Sequence, residues 1–261
     1  MGPMSLALRM LAPVLAGMML FTSSAYGAEI RVMISGGFSA AYLELVPQFE
    51  RATGHRIMTA RGASMGTAPN SIPSRLQRGE PVDVFVMVGD ALEGLVKQGK
   101  IASGTRVDLA RSSIGVAVRA GSPKPDIRSV EAFKRAMLDA KSLAYSSSAS
   151  GVYLSTDLFP RLGIADQIKG KSKLIGSEPV GAVVARGEAE IAIQQISELL
   201  PVPGLDFVGP LPAAIQKITV FSAGIAEGAK EPDAAAALIK FLASPAAAPA
   251  IAKSALEPIA P

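Results

Sequence analysis

The sequence predicts an α/β protein of two related lobes with a ligand cleft between them, and two observations carry that prediction. Apolar strand-like runs alternate with helical stretches along nearly the whole chain, the pattern of parallel sheets flanked by helices. Two patterns also recur in order. SGGFSAAYL at 35–43 matches SSSASGVYL at 146–154, pairing Ser35 with Ser146, Ser39 with Ser150, Tyr42 with Tyr153 and Leu43 with Leu154 at one offset. QRGEPVDVFV at 77–86 matches ARGEAEIAIQ at 185–194 at nearly the same offset. Matches that keep both order and spacing point to a repeated α/β unit.

The elements follow in order. IRVMI (30–34) reads as a strand, residues 39–53 as a helix stopped by Gly54, and RIMTA (56–60) as a second strand. DVFVMV (83–88) is a continuous apolar run of the kind buried on both faces in a parallel sheet. A helix at 91–98 ends at Gly99, and SIGVAV (113–118) is the next strand. Ser129 caps a helix running to about Lys141, with Glu131 favourably placed in its first turn. SLAY (142–145), EIAIQ (190–194), DFVG (206–209) and KITVFSA (217–223) continue the strand series, and alanine-rich helices close the chain at 233–242 and 245–252.

At the other end, Arg9 precedes the apolar run LAPVLAGMMLF and then TSSAYGA, whose small residues are spaced for cleavage after Gly27. That layout predicts a signal peptide over 1–27, short for a membrane span, and a mature chain free in the periplasm without a stable membrane anchor.

Composition narrows the chemistry. There is no Cys, so disulfides and thiolate catalysis are excluded, and His55 is the only histidine, so a multi-histidine metal site cannot be assembled. The net charge is +4, with no Trp and no polybasic run, which argues against nucleic acid as a partner.

The paired turns are the candidate site. In each, a strand ends, small residues follow, and a helix begins near Ser39 or Ser150. Amides at a helix start lack internal partners and carry partial positive charge, so small residues there, with the hydroxyls of Ser35, Ser39, Ser148 and Ser150, suit an anion. The alternative use of Ser39 and Ser150 is simple helix capping. A third loop, RGASMGTAPNSIPSRL (61–76), offers Gly62, Ser64 and Gly66 before a helix capped by Asn70 or Ser71. It lacks nucleotide-binding glycine patterns. At its mouth, Arg61 is suited either to a ligand carboxylate or to a surface acid.

Taken together, the Gly/Ser turn after the first strand, the Ser64 loop, RGEPVDVF, SSSASGVY, SEPVGAVVARGEAEIA and KITVFSAGI resemble the periplasmic molybdate-binding protein family over essentially the whole mature chain. The resemblance implies a two-lobed type II periplasmic-binding-protein fold. Its lobes would be 28–112 with 219–261, and 113–218, hinged near 113–118 and 218–222. It also implies donors at Ser64, Ser150 and Val180. This sequence departs from the family at two ligand positions, having Gly37 for a serine and Gln195 for a tyrosine, and its Ser64 loop is longer.

Within the family the chain is most similar to the aconitate-isomerising branch. That implies a small tricarboxylate substrate, an allylic proton shift between trans- and cis-aconitate, and no metal or other cofactor. Gly36, Gly37, Ser64, Ser150 and Val180 would supply donors and Arg61 a carboxylate clamp, with Tyr153 and Glu198 the candidate bases by position. The competing implication is a solute-binding protein that delivers an oxyanion or small carboxylate to an ABC permease.

Overall fold

The computed structural model describes residues 27–259, so the expected signal peptide lies outside the described residues apart from Gly27. The chain runs β1 (Glu29–Ile34), α1 (Gly36–Thr53), β2 (Arg56–Arg61), α2 (Ile72–Gln77), β3 (Val84–Val88), α3 (Gly89–Lys97) and β4 (Val107–Ser112). It then continues through β5 (Ile114–Arg119), α4 (Val130–Asp139), β6 (Leu143–Ser146), α5 (Ala149–Tyr153), α6 (Phe159–Arg161), α7 (Ala165–Lys169) and β7 (Ser172–Ile175). Next come α8 (Val180–Ala185), β8 (Ile191–Gln195), α9 (Ile196–Leu199) and β9 (Leu205–Pro210). The return is made by β10 (Thr219–Ile225), α10 (Pro232–Leu242), α11 (Ala248–Lys253) and β11 (Glu257–Pro258).

The strands form two sheets, a six-stranded one ordered β11-β4-β10-β3-β1-β2 and a five-stranded one ordered β7-β6-β8-β5-β9. β1 runs parallel to β2 and β3, and β6 runs parallel to β7 and β8. β10 lies antiparallel to β3 and β4, as β5 does to β8 and β9. Apart from β11, the two sheets therefore share one topology, with β1 answering to β6 and β3 to β8. One recurring sequence pattern covers the turns and helix starts that follow β1 and β6, and the other leads into β3 and β8. The architecture is the expected two-lobed α/β arrangement, with β5 and β10 running antiparallel where the alternation alone predicts parallel sheets.

The central strands of each sheet are buried on both faces, alternate side chains going to opposite sides. Ile30, Val32 and Ile34 of β1 join Val84, Val86 and Phe221 on one face, while Met33, Phe85 and Met87 pack on the other. In the second lobe Ile114, Val116, Ile191 and Ile193 face one way, and Ala117, Ala192 and Val180 the other. Burying each large side chain stabilises the fold by roughly 1.5–3 kcal/mol. No helix among the described residues is long and apolar enough to cross a membrane.

Two starts differ from expectation. α1 begins at Gly36 rather than Ser39, with Ser35 as its N-cap, and α5 begins at Ala149 with Ser148 as its N-cap. Ser39 and Ser150 therefore lie inside the first turns and cap nothing. Ser129 and Ser71 do cap, accepting from Ala132 N at 3.1 Å and Ser74 N at 3.3 Å.

Candidate functional site

The carboxyl ends of β1, β2, β6, β7 and β8 converge on one cleft between the sheets, about 450 Å³ in volume. Ligands of α/β proteins collect beyond such strand ends. Ser35, Gly36 and Ser39 form one wall, Arg61 stands at its edge, and Ser146, Ser147 and Ser148 approach from the other lobe. Gln194, Ser197 and Glu198 close the side, with Pro201 and Val202 beyond them.

Ser35 caps α1 without using its side chain, and its hydroxyl borders the cleft. The first amides of this 18-residue helix have no intrahelical acceptor and carry the positive end of its dipole. Ser39 Oγ donates to the Ser35 carbonyl at 3.2 Å, so it holds the turn while lining the cleft. Arg61 is exposed and enters no ion pair among the described residues. Glu178, the other acidic lining residue besides Glu198, is bound to Arg186 at 3.0 Å. No three His, Cys, Asp or Glu side chains gather as a metal site among the described residues.

Glu198 is the carboxyl at the centre of the arrangement. It is partly buried on α9, against Gly36 at the start of α1. Desolvation pushes its carboxyl up to about 7, although the neighbouring Gln194 side chain pulls the other way. A carboxyl in that range takes and returns protons near neutral pH.

Several expected residues sit behind the cleft wall. Gly37 faces the core, where a Cβ would stand 2.2 Å from Phe221 Cζ. Ser64 is 1% exposed and accepts from Val88 N at 3.0 Å, fixing the end of β3. Ser150 and Ser146 hydroxyls bond each other at 3.1 Å. The Val180 side chain is buried in the second core, and its backbone follows the lining residue Pro179 at the start of α8. Gln195 bonds Ser112 Oγ at 2.7 Å and Thr219 Oγ1 at 2.9 Å, tying together the two segments that pass between sheets.

Tyr153 is also displaced from its expected role. It lines a separate hollow together with Val88, Gly89 and Lys217, donating to the Ile215 carbonyl at 2.8 Å and accepting from Arg161 at 3.1 Å. Sequence reasoning missed Asn70, Ser147, Gln194, Ser197 and Ser177. Ser147 and Asn70 lay within loops already singled out. Gln194 and Ser197 had no phase signal, because Ile191, Ala192 and Ile193 before them are all buried.

A model of the bacterial extracellular solute-binding protein family matches residues 30–256. The chain belongs to that family. Among its relatives, this solute-binding family member is 49% identical over 230 residues to a protein of Pseudomonas sp named aconitate isomerase, covering 88% of each chain. It is 28% identical to the molybdate-binding protein ModA of Azotobacter vinelandii, over 87% of this chain and 89% of that one. The solved structure of the periplasmic molybdate-binding protein from Azotobacter vinelandii superposes with a TM-score of 0.71 at 20% identity, covering 89% of this chain and 99% of the other. That last likeness is one of fold.

Proposed function

We propose that this family member interconverts trans- and cis-aconitate in the interlobe cleft, in the periplasm. The observation that carries the reading is Glu198, a lone unpaired carboxyl lifted to about 7, set among hydroxyls and helix-start amides with Arg61 at the edge. Identity of 49% to an aconitate isomerase supports the same reading. The cleft volume of about 450 Å³ suits an organic ligand, such sites being about 300–1,000 Å³.

In this mechanism Glu198 removes a proton from the substrate's methylene carbon, which lies beside a carboxylate and is allylic to the double bond. The electron pair spreads through the allylic system onto carboxylate oxygens. Arg61, the Ser35 hydroxyl and the first amides of α1 stabilise that charge. The protonated Glu198 then delivers a proton to the far carbon, and the double bond is transposed. Lobes comprising 28–112 with 219–261, and 113–218, would close over the substrate. Purified protein incubated with trans-aconitate should yield the cis isomer by chromatography, and absence of that isomer rejects the reading.

The family match and the ModA relative favour a second reading, delivery of a bound anion to an ABC permease. It requires tight stoichiometric binding of molybdate, tungstate or aconitate without turnover, which calorimetry beside the same assay distinguishes.

A further inference from the structure

Five buried side-chain polar atoms have no hydrogen-bond partner among the described residues, and four of their residues, Asn70, Ser147, Gln194 and Ser197, line the cleft. Gln194 is 4% exposed and Ser197 is 2% exposed. Buried polar groups are almost always satisfied, so orphans gathered on one site mark where a ligand or its water completes the set.

The four are not chemically equal. A serine hydroxyl rotates and either donates or accepts, whereas an amide oxygen only accepts. In both amides an acceptor neighbours the side chain. Asn70 Nδ2 donates across the cleft to the Ser177 carbonyl at 3.1 Å, and the Gln194 amide lies beside the Glu198 carboxyl, whose charged form it favours. Asn70 Oδ1 and Gln194 Oε1 are left as fixed acceptors in a cleft otherwise furnished for an anion. A carboxylate cannot satisfy an acceptor, and fully ionised aconitate carries no O–H or N–H. The unmatched atoms call for a donor on the ligand.

We propose that Gln194 and Asn70 form a hydroxyl-recognising subsite, so that the cleft binds hydroxylated polycarboxylates in competition with the alkene substrate. The inference rests on the cleft taking a polycarboxylate, as argued above. The carboxylates lie toward Arg61, Ser35 and the α1 amides, and the ligand hydroxyl donates to Gln194 Oε1 or Asn70 Oδ1. Leaving a buried acceptor unpaired costs binding, so a ligand differing only by loss of the hydroxyl is discriminated against.

The test uses a matched pair, 2-hydroxypropane-1,2,3-tricarboxylate and propane-1,2,3-tricarboxylate, titrated calorimetrically into the purified protein. The hydroxylated probe should bind about tenfold or more tightly. In Asn70→Ala and Gln194→Met that ratio should fall toward one. A loss shared by both probes reports the broken bond to Ser177 or the lost contact with Glu198, while the ratio reports the carbonyl oxygen alone. If Gln194→Met does not fold, the wild-type ratio and the loop variant Asn70→Ala still decide. Equal affinities in the wild type, no binding of either probe, or a ratio that survives in the folded variants overturns the proposal. Turnover of trans-aconitate without discrimination overturns this inference alone, and discrimination without turnover overturns the isomerase reading alone.

Discussion

A Cβ atom placed on Gly36 would stand 2.2 Å from Glu198 Oε1. The carboxyl of the short helix α9 thus rests directly on the first residue of the long helix α1, and only a residue without a side chain admits it there. The contact joins the candidate base to the amides that would stabilise the charge it generates.

Gly36→Ala should therefore damage catalysis without damaging the fold. The added methyl displaces the Glu198 carboxyl, and kcat for aconitate should fall at least tenfold. The melting temperature should hold, because the atom the methyl meets is the far end of a flexible side chain that can swing aside. A wild-type kcat would show that the carboxyl position is immaterial to turnover.

Glu198→Gln removes the base and keeps the shape. Positioned general bases contribute roughly 10²–10⁴-fold, so kcat should drop by about that factor. Denaturation adds a second readout. The folded carboxyl titrates at about 7 against an ordinary 4.5, so between these values the native state holds a proton that the unfolded chain has lost. Stability from this group is complete below 4.5 and is lost as pH rises through 7, by at most about 3 kcal/mol. Wild-type stability should fall across that window and the variant's should not, measured by urea midpoints.

The rate should show the opposite slope. Proton abstraction needs the carboxylate, so kcat/KM should climb with pH and level off above about 7. Arg61 and the ion-paired Glu178 are the other charged groups on the cleft wall. A profile already flat from pH 5 to 8 would assign the base elsewhere.

Tyr153→Phe separates the two candidate bases. The hydroxyl serves the Ile215 carbonyl and Arg161, in a hollow outside the cleft. Its loss should cost about 1 kcal/mol of stability while kcat stays within twofold of wild type. A hundredfold loss of kcat in a stable variant would return Tyr153 to the reaction.

The lobes, their repeat and the strand-end cleft were legible because they rest on period and order, which a sequence displays. The facing of individual residues was not. Gly37 belongs to the right turn, yet α1 starts at Gly36, and that phase turns Gly37 onto the Phe221 ring. Gly37→Ser would consequently strain the core instead of crowding a ligand. Gln194 and Gln195 are adjacent on β8, and pleating sends one toward the cleft and the other to Ser112 and Thr219. With three buried apolar residues before them, nothing in the sequence announces which is which. Glu198 was recoverable by position, but its raised pKa depends on burial that only the packing of α9 against α1 creates.

Arg61→Ala bears on substrate binding, and the exposure of Arg61 sets the size of the effect. A buried guanidinium–carboxylate pair would be worth several kcal/mol. Arg61 instead stands exposed at the end of β2, so water and salt compete for it. The loss should be about 1 kcal/mol, a several-fold rise in the aconitate KM, with the gap between wild type and variant narrowing as salt is raised. Because the same guanidinium also faces charge that grows on the carboxylate during proton transfer, kcat should fall as well, though less than in Glu198→Gln. An unchanged KM at low ionic strength would remove Arg61 from the site, and the α1 amides and serine hydroxyls would then have to hold the substrate without it.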